Sequence, residues 1–183
     1  MAYNIKDVFY LDTQATITAA TGNGGSAQLD LSAYIDPIAR GRTKGTGLAV
    51  YKVHFMFTDD ANSEPIKAAE TGVCSFGMVA GLGIGDNATG AIALGADALT
   101  PENQLVISSG SFYGPGAATT TGKFVDVMPS TEVPYVIVRD NACLVYSVQD
   151  NFANTSLLSV RMECAQITLD QATLNQLLRT QTV

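Results

Sequence analysis

The stretch LAVYKVHFMF, from Leu48 to Phe57, is the clearest predicted strand, and from Val50 to Phe57 it alternates apolar and polar side chains with a period of two. This period is typical of a strand with one buried face. The inward face would carry the large apolar side chains Tyr51, Val53, Phe55 and Phe57. A strand this rich in bulky apolar residues is expected at a central position in a sheet.

The same alternation recurs along the chain and predicts an all-β protein. It appears at 14–19, 26–33 and 158–164, and shorter apolar runs at 73–80, 105–109, 123–127, 135–138 and 143–148 predict further strands. Gly and Asn residues at 22–25 separate the first two segments, so a hairpin is predicted there. Its inward-facing positions would be Ala15, Ile17, Ala19, Ala27, Leu29, Leu31 and Ala33.

The C-terminal part has a different period. Thr168 to Gln171 has the spacing of a capping box, and apolar residues then recur near the helical period. One helix of about three turns is predicted over about 169–180. Asp170 in its first turn and Arg179 in its last would both suit the helix dipole.

These elements predict a single jelly-roll β-sandwich or barrel of about eight strands with a short C-terminal helix. An all-β chain of 183 residues must hide its sheet edges. The long connections at 81–104 and 110–123 favour two packed sheets over an up-and-down barrel with tight hairpins. Residues 1–12 are expected to form an N-terminal arm, which is either a first strand or an intersubunit segment, and residues 13–183 a single domain.

The composition points to an exterior covered by other subunits. Hydrophobic residues make up 46% of the chain and charged residues only 15%, where about 25% is usual for a globular domain. Ten Lys and Arg against 17 Asp and Glu give a net charge of −7. This charge opposes adhesion to nucleic acid or anionic lipid, so no direct specific nucleic-acid binding is expected.

The cysteines indicate folding inside a cell. Cys74, Cys143 and Cys164 are widely spaced in apolar runs and form no C-x-x-C pair, so we expect buried, reduced thiols. We also expect no signal peptide, since residues 1–12 hold no sustained apolar run, and no membrane span. Release of the product in the cytoplasm follows as an expectation.

No catalytic, cofactor-binding or metal-binding residue is predicted. Gly81, Gly83 and Gly85 lack the G-x-G-x-x-G spacing, and no amphipathic helix follows them. The segment 110–114 does not read G-x-S-x-G. His54 is the only histidine, and a lone imidazole cannot build a metal site.

The remaining charged clusters are interpreted as solvated groups. Three clusters are candidate sites: a calcium turn at Asp59, Asp60 and Glu64, a carboxylate pair of Asp30 and Glu163, and a basic loop with Arg40, Arg42 and Lys44. The first lacks the EF-hand spacing. The second requires two carboxylates about 5 to 10 Å apart, and the third is a short loop beside glycines.

The order of parts resembles the single jelly-roll coat proteins of icosahedral viruses, especially those of tailless prokaryotic viruses that enclose a membrane. The resemblance rests on the short arm, the segment Ser26 to Ser32, the passage Gly45 to Tyr51 and the closing strand and helix Ser159 to Leu178. It implies a structural capsid protein, not an enzyme, that self-assembles in many copies within the virion and needs no cofactor.

Coat proteins that package naked genomes often carry a basic N-terminal arm. The arm of this chain differs, because it carries one lysine against Asp7 and Asp12. The resemblance then implies that a lipid layer or a second coat protein lies between shell and genome.

An alternative function is a carbohydrate-binding or adhesive β-sandwich with Tyr113 or Tyr135 as sugar platforms. A cupin-like enzyme would need several histidines to hold its metal.

Overall fold

The computed structural model describes residues 7–19, 24–36, 44–61, 71–81, 99, 103–114 and 122–181. These residues form nine strands and one helix. The strands are β1 (Val8–Ile17), β2 (Gly25–Asp30), β3 (Lys44–Asp59), β4 (Val73–Ala80), β5 (Val106–Tyr113), β6 (Gly122–Val127), β7 (Tyr135–Ile137), β8 (Asn141–Asp150) and β9 (Ser156–Asp170), and the helix is α1 (Gln171–Thr180).

The strands form two antiparallel sheets with the orders β1-β9-β3-β7 and β2-β8-β4-β5-β6. The first strand pairs with the ninth, the second with the eighth, the third with the seventh and the fourth with the fifth. Such nested pairing is an antiparallel ribbon rolled into two sheets, which is the jelly roll. The predicted fold class is confirmed, and β6 adds a further strand at one edge.

The predicted hairpin between the first two segments is wrong. Strand β1 pairs with β9 and β2 pairs with β8, so the two strands lie in opposite sheets. A Gly-rich segment permits a chain reversal but does not select a partner strand. The inward faces of both strands cover the same core from opposite sides, with Ile17 of β1 and Leu31 after β2 fully buried.

The predicted boundaries of these first elements also move. Strand β1 begins at Val8 and pairs along its whole length with β9, so residues 8–12 of the expected arm belong to a sheet. Leu11 lies in the core. Strand β2 ends at Asp30, whose carboxylate accepts a hydrogen bond from the Ser32 amide. Ala33 therefore follows the strand and is exposed, against the prediction.

Strand β3 lies between β9 and β7, as its composition predicted. Val53, Phe55 and Phe57 face the core, but Tyr51 does not join them because the register with β9 shifts between Val50 and Lys52. One residue inserted at a β-bulge reverses which positions face inward. Before the bulge the buried set contains Val50; after it the set begins at Val53.

Aromatic rings fill the space between the two sheets. Phe76 of β4 makes edge contacts with Phe55 and Phe57 of β3, at centroid distances of 4.8 and 5.1 Å. Phe57 also stacks on Phe112 at 4.6 Å, and Phe112 stacks on Phe152 at 5.6 Å. Ring pairs of this geometry add to the energy of burial, and they fix the separation of the sheets.

The helix begins two residues later than the capping-box pattern predicted. Asp170 is the N-cap itself, with its carboxylate accepting the Thr173 amide, and no acidic residue lies in the first turn. Arg179 is in the last turn, as predicted. The buried Leu174 packs against Gly45 at the start of β3, where an added Cβ would lie 2.7 Å from the Leu174 side chain.

A second, smaller apolar cluster lies away from the main core. Val79, Val106, Cys143 and Val145 are buried together, and Leu99 packs against them. Leu99 lies between β4 and β5 in the chain, and this residue covers part of the outer face of the five-stranded sheet. The four-stranded sheet is the one whose outer face remains largely exposed.

Candidate interaction surface

Polar and apolar side chains form a regular array on the outer face of β1, β9 and β3. The strand registers align this array in three cross-strand rows. The rows are Tyr10, Glu163 and Lys52; Asp12, Arg161 and His54; and Gln14, Ser159 and Met56. These residues occupy the outward positions of the alternating strands. Packing of the core does not restrict which side chains stand at those positions.

A shallow groove of about 690 Å³ crosses this array. Its lining includes Tyr10, Asp12, His54, Met56 and Arg161. Tyr10 is 60% exposed and Met56 is 58% exposed, although both are large apolar side chains. We call this feature the Arg161 groove. Exposed apolar side chains around a charged group are typical of interaction sites.

Arg161 supplies the positive charge of the groove. Its guanidinium carbon lies 5.8 Å from the centroid of the Tyr10 ring, which is within cation–π range. Asp12 is opposite Arg161 in the strand register, yet among the described residues these two groups form no ion pair. A guanidinium can bind a carboxylate through two parallel hydrogen bonds.

His54 occupies the outward position that its strand pattern predicted. Its Nε2 lies 2.9 Å from Oε1 of Glu163, and its side chain is 52% exposed. Within the described residues, no group of three or more His, Cys, Asp or Glu side chains is arranged to hold a metal ion. The pair is a surface contact between β3 and β9.

A tight turn before β7 is the second exposed feature. The Ser130 amide donates to the Val133 carbonyl at 3.2 Å, and the Val133 amide donates to the Ser130 hydroxyl at 3.1 Å. These bonds hold Glu132 and Val133 outward, and Val133 is 75% exposed. We call this feature the Ser130–Val133 turn. It presents a carboxylate beside an apolar side chain.

The structure separates the carboxylates considered for catalysis. Asp30 faces outward from the five-stranded sheet, and Glu163 faces outward from the four-stranded sheet. They therefore lie on opposite outer surfaces. The hydrogen bond from the Ser32 amide lowers the pKa of Asp30, so this carboxylate serves the turn that ends β2. Asp59 holds the Ala61 amide in the same way.

The other predicted features have these positions. Residues 110–113 lie in β5 and are not a nucleophile turn. Gly81 has a positive φ of 91° at the end of β4, where any Cβ would meet Arg139. Lys44 begins β3. Gly83, Gly85, Glu64, Arg40 and Arg42 lie outside the described residues.

The two tyrosines proposed as sugar platforms differ in exposure. Tyr113, at the end of β5, is 47% exposed. Tyr135 is half-buried, and its hydroxyl donates to the Gln104 carbonyl at 2.6 Å. Burial raises the pKa of Tyr135 to about 12. Tyr135 is therefore a structural residue, and only Tyr113 presents a ring to solvent.

The three cysteines are free and buried. Burial raises the pKa of Cys74 and of Cys164 to about 12 and also raises that of Cys143. A buried thiol with a raised pKa is a poor nucleophile. These side chains act as small apolar groups in the core, as the sequence predicted.

The described residues contain no helix long and apolar enough to cross a membrane.

No protein-family model matches this chain. No curated protein matches it either.

Solved structures of polyomavirus VP1, a viral capsid protein, are similar in outline. VP1 of trichodysplasia spinulosa-associated polyomavirus, in complex with sialylated precision glycooligomers, has a TM-score of 0.48 at 9% identity, covering 92% of this chain and 97% of that one. Merkel cell polyomavirus VP1, in complex with disialyllactose, has a TM-score of 0.44 at 7% identity, with 92% and 98% covered.

Human polyomavirus 12 VP1, in complex with 3'-sialyllactosamine, has a TM-score of 0.43 at 8% identity, with 89% of this chain and 99% of that chain covered. The strand order of this chain identifies the jelly roll.

The sequence pattern had not singled out the residues of the groove and of the turn. Arg161 and Met56 were visible only as polar-face positions of alternating strands, and Tyr10 was placed in the arm. Large apolar residues at the outward positions of such strands are the sequence feature that could have indicated this groove. Val133 lies between strands, where no periodicity marks it.

Proposed function

We propose that this chain is a capsid subunit that self-assembles in many copies into the shell of a virus. The observation that carries the proposal is the nested strand order of the two sheets. Jelly rolls of this kind serve as viral capsid domains, lectins and cupins. A cupin site needs several metal-binding histidines, and this chain has one.

Surface chemistry supports assembly in particular. The described residues include five exposed large hydrophobic side chains, namely Tyr10, Met56, Tyr113, Met128 and Val133. Charged residues form only 15% of the chain. Repeated contacts with sister subunits would bury such side chains, and closed symmetric assemblies provide repeated contacts.

The finer parts of the proposal concern the particle. We propose an icosahedral shell of the kind found in tailless prokaryotic viruses that enclose a membrane, made in the host cytoplasm and without enzymatic activity. The net charge of −7 supports a lipid layer or a second coat protein between shell and genome. The division into an arm at 1–12 and one domain at 13–183 belongs to this proposal, with 8–12 contributing to β1.

Light scattering coupled to size-exclusion chromatography, followed by electron microscopy of the same fractions, tests self-assembly. The purified protein is expected to form rings or shells of uniform size as its concentration rises. A protein that stays monomeric at high concentration, over a range of salt and pH, would contradict the proposal.

Carbohydrate binding is the alternative, and the exposed ring of Tyr113 is the observation that favours it. Aromatic rings at protein surfaces offer an apolar face with a polar tip. A glycan array with the isolated monomer discriminates the two functions. The capsid proposal would be replaced if the monomer clearly binds a saccharide, if Tyr113→Ala abolishes that binding, and if the protein does not assemble.

A further inference from the structure

The Arg161 groove and the Ser130–Val133 turn have complementary chemistry. The groove presents a guanidinium between two exposed apolar side chains, Tyr10 and Met56. The turn presents the carboxylate of Glu132 beside Val133, the most exposed large hydrophobic side chain described. In the described part of the chain, neither Arg161 nor Glu132 takes part in an ion pair.

The two features lie toward opposite edges of the same sheet. The groove lies on β1, β9 and β3, and β1 is one edge strand. The turn directly precedes β7, which is the other edge strand. A contact between them across two copies is therefore head-to-tail. Such heterologous contacts generate rings where the rotation closes, as a shell requires.

We propose that the Ser130–Val133 turn of one subunit inserts into the Arg161 groove of the next, with the Glu132 carboxylate bound by Arg161. This inference rests on the proposed function, since it names one contact through which the subunits would assemble. Val133 would pack between Tyr10 and Met56. Arg and Tyr residues often dominate the binding energy of interfaces when the contact excludes water.

The geometry of both features favours this fit. The groove volume of about 690 Å³ accommodates the few side chains that one tight turn presents. The two hydrogen bonds between Ser130 and Val133 hold the turn in shape before it binds. A preformed turn loses little conformational entropy on association.

Charge reversal tests the pairing directly. Glu132→Arg alone and Arg161→Glu alone would each place like charges together, and each is expected to raise the protein concentration needed for assembly by about tenfold or more. The double variant restores opposite charges and the original net charge. It is expected to recover assembly to within about threefold of wild type.

Asp150→Arg is the matched control, because Asp150 is exposed and lies at the end of β8, in the other sheet. It changes the net charge as Glu132→Arg does, and it should assemble normally. Val133→Ser tests the apolar half of the contact without altering charge or a strand. It is expected to weaken assembly also. Thermal unfolding of each monomer shows whether a loss of assembly is a loss of fold.

The outcomes separate this contact from the function. Wild-type shells that persist in both reversal variants would reject this contact and leave the proposed function standing. Loss of assembly in Arg161→Glu alone, with Glu132→Arg unaffected, would assign the groove to a different acidic segment and also reject the proposal. A wild-type protein that never associates would reject both.

Discussion

Replacing Gln181 by Ala should loosen the outer edge of the four-stranded sheet. Gln181 directly follows α1, and its side chain is 3% exposed. Its amide nitrogen donates to the Val136 carbonyl at 2.7 Å, and its amide oxygen accepts from the Val138 amide at 3.2 Å. Val136 lies in β7 and Val138 directly follows it, and β7 pairs with β3 over only three residues. The Gln181 side chain thus makes hydrogen bonds of the kind that a neighbouring strand would make.

The magnitude follows from the two backbone groups that Gln181→Ala leaves without this partner. Each buried polar group deprived of its hydrogen bond costs about 1–3 kcal/mol. Water can reach part of the new space, so we expect a loss of about 2–4 kcal/mol in the free energy of unfolding. Urea unfolding followed by circular dichroism measures this loss. Hydrogen exchange at the Val138 amide should rise at the same time.

Gln176→Ala is the control, because Gln176 lies in the adjoining helix α1 with an exposed side chain. It removes the same atoms without disturbing β7, and exposed substitutions of this kind usually change stability by less than about 0.5 kcal/mol. Equal stability of the two variants would refute the role assigned to Gln181. So would unchanged exchange at Val138.

Three further predictions follow from the described contacts. Asp170→Asn should remove part of the acid sensitivity of the fold, because the Thr173 amide lowers the pKa of the Asp170 carboxyl below its ordinary 3.8. The stabilisation from this carboxylate is full above 3.8 and is lost as the pH falls through the lowered pKa. Acid titrations of both proteins by circular dichroism compare how steeply stability falls with pH. Cys74 and Cys164, with pKa values raised to about 12 by burial, should react with a thiol reagent only after unfolding in urea; rapid labelling of the native protein at neutral pH would contradict this. Gly77→Ala should cost about 1–3 kcal/mol, because the new Cβ would lie 2.6 Å from Leu99 and 2.8 Å from a backbone carbonyl; a midpoint of urea unfolding equal to wild type would show that the connection moves away freely.

Periodicity predicted where the strands lie, because burial of one face imposes a two-residue repeat. It located β4 at Val73–Ala80 without error and placed β3 inside its sheet. It could not predict which strand pairs with which. The pairing of β1 with β9 depends on contacts between distant segments, and the Gly-rich connection after β1 suggested a local hairpin instead.

Single-residue features escaped prediction for a different reason. The bulge at Tyr51 shifts the inward set by one position, and nothing in the alternation of this strand marks it. The role of Asp170 as the N-cap, in place of Thr168, depends on where β9 stops. Arg161 and Val133 became candidates only when exposure was known, since an alternating pattern identifies outward positions but does not show which of them lie in a groove.

The nesting of the strands also has a kinetic consequence. Gln14 of β1 bonds to Ser159 of β9, 145 positions later in the chain. Proteins dominated by such distant pairings fold slowly. During translation, the inward apolar face of β1 therefore lacks its neighbour until β9 has been made. Chaperone binding to the nascent chain over this interval would keep unfinished subunits from aggregating.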